Sequence, residues 1–164
     1  NAGLELTGPE GIRQVPIQEF YTGPGRTVRQ HEEVMTAIRI SKKDYEGYSG
    51  CYIKYGKRNA MEIATLGCAC LVKLSADKKV VEDMRIAYGV AAPTPVRCPE
   101  TEKLAAGQLV SEALLIQMGK SVLNEVNPRT SWRASKEFRL QLVEELAKRA
   151  MAQAIKNGGG EVNA

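Results

Sequence analysis

A chain of 164 residues suffices for one domain, or for one domain and part of another, without a metal or disulfide staple. With 43% apolar and 26% charged residues it is neither a disordered chain nor a fibre. The net charge of +4 is mild, and basic residues alternate with acidic ones through residues 79–85 and 137–149, which sets aside the one-sided Lys/Arg surface of a nucleic-acid binder.

Residues 4–6 and 12–15 predict short strands around the turn-forming Gly8-Pro9-Glu10-Gly11, and residues 16–20 lead into the loop Thr22-Gly23-Pro24-Gly25. A lone hairpin is marginal in water, so these residues require a surface that they do not supply. Residues 36–40 read as a strand, and the charged stretch 41–47, poor in apolar side chains, marks a boundary. Strands follow over 48–55 and 63–74. In the second, Leu66, Cys68, Cys70, Val72 and Leu74 share one face, and Gly67, Ala69, Leu71 and Lys73 the other, a period of two. After a polar reversal at 75–79, Val80, Met84, Ile86 and Tyr88 alternate with Val81, Asp83, Arg85 and Ala87, which predicts an antiparallel hairpin ended by the proline-rich segment 89–95.

Three helices come next. Pro99 suits a first helical position, Glu100 and Glu102 favour its positive end, and Gly107 can stop a short helix through Leu104. Val110, Leu114, Met118, Val122 and Val126 recur every four residues, with Asn127 and Pro128 as the stop. Ser135 caps a long third helix whose Phe138, Leu142, Leu146 and Ala150 form a stripe, and the residues after Gly158 are expected to fray. Strands followed by helices predict an α+β fold: a small antiparallel sheet covered on one face by about three helices.

Few residues advertise chemistry. No dinucleotide fingerprint or P-loop occurs, since Gly23-Pro24-Gly25 lacks both the spacing and the following helix. There is no nucleophile elbow, and the single histidine, His31, sits in a charged loop and reads as an exposed polar side chain. Glu32-Glu33 and Glu144-Glu145 read as solvated faces. Cys51, Cys68, Cys70 and Cys98 lack the paired spacing of zinc ligands and read as small buried residues of a reducing compartment. No apolar run approaches the roughly 18 to 20 residues of a membrane span, and no leader opens the chain, so the expectation is a cytoplasmic protein with no membrane or nucleic-acid partner.

Four ordered motifs carry a resemblance: FYTGPGRTVRQHEEVMTAIRI, YIKYGKRNAMEIATLGCA, MRIAYGVAAPTPVRCPETEKLAAG and SWRASKEFRLQLVEELAKRA. Their order resembles the FAD-binding subunit of molybdenum hydroxylases of the xanthine dehydrogenase type, over roughly the second half of that subunit. Residues 1–43 resemble the end of the FAD-binding lobe, residues 44–157 the CO dehydrogenase flavoprotein C-terminal domain, and residues 158–164 are read as a flexible tail. The resemblance implies an oxidoreductase in which a molybdopterin subunit hydroxylates substrate, 2Fe-2S clusters in another subunit carry electrons, and FAD passes them to NAD. It implies, as partners, the N-terminal FAD-binding half and those two subunits. The glycine-rich segments that cradle FAD phosphates in the family have no counterpart here, so the isolated chain is expected to bind FAD weakly and to be inactive. Two positions match flavin contacts of the family. Lys54 aligns with a lysine near the isoalloxazine ring, where its charge would stabilise the anionic reduced flavin. Met35 aligns with an apolar residue against the same ring, where a thioether can pack on an aromatic face. From their residues alone these two are a strand lysine in water and a core methionine, and Lys57 and Arg58 are structural or surface charges. The competing reading is a stand-alone interaction domain that docks, without a cofactor, onto a partner protein.

Overall fold

The computed structural model describes residues 1–163. They divide into two units, Asn1–Glu46 and Gly47–Ala164. In the first, β1 (Gly3–Gly8) and β2 (Gly11–Pro16) form the expected hairpin, closed by Gly11 at φ 115°, a conformation that only glycine adopts cheaply. One helical turn, α1 (Ile17–Phe20), precedes β3 (Tyr21–Gly23) and β4 (Arg26–Thr27). These two strands pair around Gly25, so the stretch expected as a loop is a small hairpin. β5 (Val34–Arg39) lies on the free side of β1, giving the order β2-β1-β5. Leu4, Leu6, Val15 and Phe20 make a small core. Ile38 pairs directly with Leu4 on the core-facing side of the sheet and is nevertheless 64% exposed. The apolar face of this sheet therefore extends beyond what the unit itself covers.

Polar groups hold the other end of this unit. Glu33 is buried and accepts two hydrogen bonds from Arg13, at 2.5 and 2.9 Å, and one from the Gln30 amide at 2.6 Å. The Arg13 guanidinium, then the Gln30 amide, hold its carboxyl down at about 2.

In the second unit β6 (Tyr48–Tyr55), β7 (Leu66–Leu74), β8 (Val81–Gly89) and β9 (Val96–Arg97) form one antiparallel sheet in chain order. The period of two in β7 is met: Leu66, Cys68, Cys70, Val72 and Leu74 are all buried. On β8 the buried set is Val81, Met84, Ile86 and Tyr88, with Val81 in place of the expected Val80. A register shift between Lys73 and Leu74 pairs Leu74 with Val81, and such a bulge changes which side chain faces inward. β9 follows directly on the proline-rich segment 89–95 that ends the β7–β8 hairpin and adds a fourth strand to the sheet. Its Arg97 and the amide of Ile86 both bond to Glu102, which ties β8 and β9 to the helix α2 (Pro99–Ala105).

Pro99 opens α2 as expected, but its preceding residue, Cys98, offers no side-chain cap. Glu125 supplies one from a distance, accepting from the Glu100 and Thr101 amides at 3.0 and 2.8 Å, a carboxylate at the positive end of a helix. α3 (Glu112–Ser121) is shorter than its four-residue spacing suggested, because the chain tightens at residues 122–124 into a 3-10 turn. Ser135 caps α4 (Lys136–Asn157) by accepting from the Phe138 amide at 3.2 Å. α4 lies across β6 and β7, α2 lies on β8, and α3 packs against α4. The buried stripe of α4 runs through Arg139, Leu142, Val143, Leu146 and Ala150, while Phe138, expected in it, is displaced toward solvent. Residues 158–163, read from sequence as frayed, are hydrogen-bonded: Gly160 closes on the Ile155 carbonyl at 3.0 Å, and Asn163 accepts from the Glu112 amide at 2.8 Å.

Gly119 lets α3 come close to α4, since a Cβ there would stand 3.0 Å from the Glu144 carbonyl oxygen. Gly119→Val is expected to lower stability by about 1–3 kcal/mol in urea unfolding, because overpacking outweighs the gain in helix propensity. For Glu33 the folded pKa lies below its ordinary value of 4.5, so its stabilisation is complete above that pH and is lost as pH falls toward about 2. The thermal midpoint of the first unit, followed by the methyl signals of Leu4 and Leu6, should fall across that window in the wild type. In Glu33→Gln it should start lower and fall less steeply, the remaining slope coming from Glu5, whose carboxyl is held down by Arg39.

Candidate functional site

Alternation along β6 decides which side chains leave the core. Cys51, Ile53 and Tyr55 pack inward, whereas Tyr52 and Lys54 stand on the face away from the helices. Across the strands on that outer face, Tyr52 pairs with Ala69 and Lys54 with Gly67, and these in turn pair with Ala87 and Gly89. These partners are small residues, with Gly67 covered by the Tyr52 ring and Gly89 left open. Nothing lies within 4 Å of where a Cβ on Gly89 would stand, and a Cβ on Gly67 would meet the Tyr52 hydroxyl at 2.8 Å.

Lys54 borders these small residues, and its Nζ donates to the Glu62 carbonyl. That uses one of three ammonium N–H groups. The loop that carries Glu62 is tied to itself: the Arg58 amide donates to the Glu62 carboxylate at 2.6 Å, and the Arg58 guanidinium to the Met61 carbonyl at 2.7 Å. Met61 has φ 54° and is 93% exposed. Met35 stands on β5 opposite Leu6 and is 39% exposed, so it is half out of the small core rather than sealed within it. Met35 belongs to the first unit and Lys54 to the second. His31 is exposed between β4 and β5.

Two constellations had no signature in the sequence. At the far end of the outer face the Tyr48 hydroxyl donates to Asp83 and accepts from Arg85 at 2.8 Å, while the Arg85 guanidinium lies 4.4 Å over the Tyr48 ring. Burial, then the Asp83 carboxylate, raises the Tyr48 phenol above its ordinary value. At the near end Arg139, 1% exposed, sends Nε to the Thr65 carbonyl at 3.3 Å, Nη2 to Ser131 Oγ at 2.8 Å and Nη1 to the Arg129 carbonyl. Burial, then the fields of Arg129 and Arg133, lowers its pKa. Its acceptors are all neutral, and they join the strand end at Thr65 to the segment 129–131.

Cys68, Cys70 and Cys98 are buried, and burial pushes the Cys68 and Cys98 thiols up to about 12. They pack as small apolar groups and are poor nucleophiles. Among the described residues no cluster of His, Cys, Asp and Glu is placed to hold a metal ion, and no helix is long and apolar enough to cross a membrane.

Residues 51–154 match the family of the CO dehydrogenase flavoprotein C-terminal domain. The chain is 40% identical over 162 residues to the xanthine dehydrogenase FAD-binding subunit of Escherichia coli O157:H7, covering 99% of this chain and 55% of that protein. It is 29% identical over 153 residues to the glyceraldehyde dehydrogenase medium chain of Sulfolobus acidocaldarius, covering 93% of this chain and 53% of that one. Among solved structures, carbon monoxide dehydrogenase of Hydrogenophaga pseudoflava superposes with a TM-score of 0.87 at 26% identity, covering 95% of this chain and 53% of the other. The chain thus spans about half the length of the relatives it matches.

Arg139→Met keeps the apolar stem and removes the charge. A buried ion can often be replaced by a hydrophobe at no cost, but here the Thr65 carbonyl would lose its donor in a dry place. The expected result is a loss of about 1–3 kcal/mol in urea unfolding together with faster proteolysis within residues 129–133.

Proposed function

The chain belongs to the CO dehydrogenase flavoprotein C-terminal domain family, and from that premise we propose that it is the C-terminal part of the flavin subunit of a molybdenum hydroxylase of the xanthine dehydrogenase kind. The observation that carries this reading is the 40% identity to a xanthine dehydrogenase FAD-binding subunit across 99% of the chain. The complete enzyme is then an oxidoreductase assembled from the flavin subunit, a molybdenum-pterin subunit where substrate is hydroxylated, and a 2Fe-2S subunit. FAD, when bound, supplies the two-electron relay between those clusters and NAD as acceptor. A cytoplasmic location accords with four free thiols.

The residues present fit one part of that cofactor. Beside Tyr52, which covers Gly67, the small residues Ala69, Ala87 and Gly89 leave room on the outer face for a planar ring, and Lys54 has two N–H groups left for it. Met35, half exposed on its own unit, presents a thioether of the kind that packs on aromatic faces. Neither unit contains a glycine-rich phosphate loop, so the phosphates fall to the N-terminal half of the subunit. The role of Lys54 would be electrostatic: its cation would favour the flavin form that carries more negative charge.

Two measurements test this reading. Residues 1–164, purified alone, should not retain stoichiometric flavin absorbance, whereas the subunit with its N-terminal half should. In the intact enzyme, Lys54→Met should lower the two-electron flavin midpoint potential by roughly 20–60 mV, the equivalent of about 1–3 kcal/mol of lost charge interaction. An unchanged potential would return Lys54 to the solvated face of a strand.

A further inference from the structure

The outer face of the sheet in the second unit is filled at one end and open at the other. At the Tyr48 end the phenol is engaged by Asp83 and Arg85, and Leu71 lies across Gly50, where a Cβ would meet its Cδ2 at 2.5 Å. At the Lys54 end the residues across from β6 are the small Gly67, Ala69, Ala87 and Gly89. Tyr52 is the one aromatic side chain on that part of the face.

The Tyr52 ring has a seat made for it. Tyr52 pairs with Ala69, but its ring reaches diagonally to Gly67, the partner of Lys54, as an aromatic cross-strand neighbour can. A Cβ on Gly67 would stand 2.8 Å from the Tyr52 hydroxyl oxygen and 3.4 Å from two ring carbons. Gly67 is not among the glycines with positive φ, so its backbone would accept any residue. The ring above it is what excludes a side chain. Glycine inside a strand weakens it, and a tyrosine that offset this by its own burial would be sealed against the sheet. Tyr52 is instead 66% exposed, so the side of its ring away from Gly67 is open. The seat holds an aromatic ring out on the same face as Lys54, two residues along the strand. Such a ring, with a cation beside it and small residues next to it, suits a planar, electron-poor ring system that gains negative charge. Aromatic rings pack on it in offset or edge-to-face contact, and the lysine favours the charge.

We propose that Tyr52 is the aromatic contact of the flavin ring on this face, its phenol packed directly against the isoalloxazine and held in place by Gly67. The proposal rests on the reading of the outer face as a wall of the flavin site. It adds a residue that supplies packing where Lys54 supplies charge. Gly67 is a positioning residue that acts through Tyr52.

The test uses the complete flavin subunit, deflavinated and titrated with FAD. The flavin fluorescence lifetime is read on the reconstituted protein, and urea unfolding is followed in parallel. A phenol in contact quenches flavin fluorescence by lending an electron to the excited ring, and a phenyl ring does not. Tyr52→Ala should weaken FAD binding about tenfold and lengthen the lifetime. Tyr52→Phe should bind FAD within about twofold of the wild type, since the ring remains, and lengthen the lifetime as much as Tyr52→Ala does. Gly67→Ala displaces the phenol and should weaken binding by about the same factor, but it should add nothing in a chain that already carries Tyr52→Ala. If neither Tyr52 variant changes affinity or lifetime while Lys54→Met shifts the flavin potential, the proposal is wrong and the parent reading survives. If Lys54→Met is also without effect, the outer face is not the flavin site and both fall. Weaker binding in Tyr52→Ala with an unchanged lifetime in Tyr52→Phe would make Tyr52 a support of the sheet and overturn the proposal, as would a loss of stability in Tyr52→Ala with FAD binding unchanged. Should Tyr52→Ala fail to fold, the lifetime in Tyr52→Phe decides alone.

Discussion

Every second side chain of β7 has to leave water, and α4 is the surface that takes them. Leu66, Cys68, Cys70, Val72 and Leu74 are removed from solvent together with Leu142, Val143, Leu146, Ala147 and Ala150 of the helix. Because a strand's side chains alternate strictly, the same requirement fixes the other parity of all the paired strands. Tyr52 and Lys54 are outside because Cys51, Ile53 and Tyr55 must be inside. The residues opposite them are the small Gly67 and Ala69, and beyond these Ala87 and Gly89, with Tyr52 lying over Gly67. The small-residue character of the outer face beside Lys54 is thus set by the same alternation that forms the core on the opposite face.

The second unit ties down its polar groups away from open solvent differently from its apolar ones. Glu102 binds Arg97 and the Ile86 amide, Glu125 caps α2 from another segment, and Arg139 donates to backbone and hydroxyl oxygens at three points. Each joins elements distant in sequence, and each would be costly with its partners removed. Arg139 differs from the two carboxylates in that its acceptors are neutral. A guanidinium tolerates this arrangement because it is weakly hydrated and presents donors in several directions at once. Its effect is to fix the strand end at Thr65 and the segment 129–131 with respect to each other. The same end carries Lys54, so the electrostatics of the outer face and of the neighbouring segments are set within one small region.

How much of this was legible depended on period. The alternation in residues 66–74, the Ser135 cap and the Pro99 start are local patterns, and they mapped directly onto β7, α4 and α2. The bulge beside Leu74 was not legible, because an extra residue in one strand leaves no mark on composition, and it exchanged Val80 for Val81 in the core. α3 ended at Ser121, short of Val126, because a 3-10 turn brings Glu125 onto the α2 N-terminus, a tertiary demand that helical spacing cannot express. Arg139 was hidden for the same reason: its acceptors lie 74, 10 and 8 positions away. Phe138 was placed in the core on spacing alone, and the guanidinium one residue later took that position. Lys54 and Met35 came from motif order and not from periodicity. For Lys54 the structure adds its position on the outer face and the partner of its ammonium. For Met35 it adds half-exposure on a three-stranded sheet whose apolar face continues past its own cover.

An experimental structure of the intact flavin subunit with FAD bound addresses the central claim, that the outer face of β6 is a wall of the flavin site. The account predicts the Lys54 ammonium within about 4–6 Å of the isoalloxazine ring, close enough for a charge to act on it. A ring more than about 10 Å away, beyond a Debye length, with the ammonium still on the Glu62 carbonyl, would contradict it.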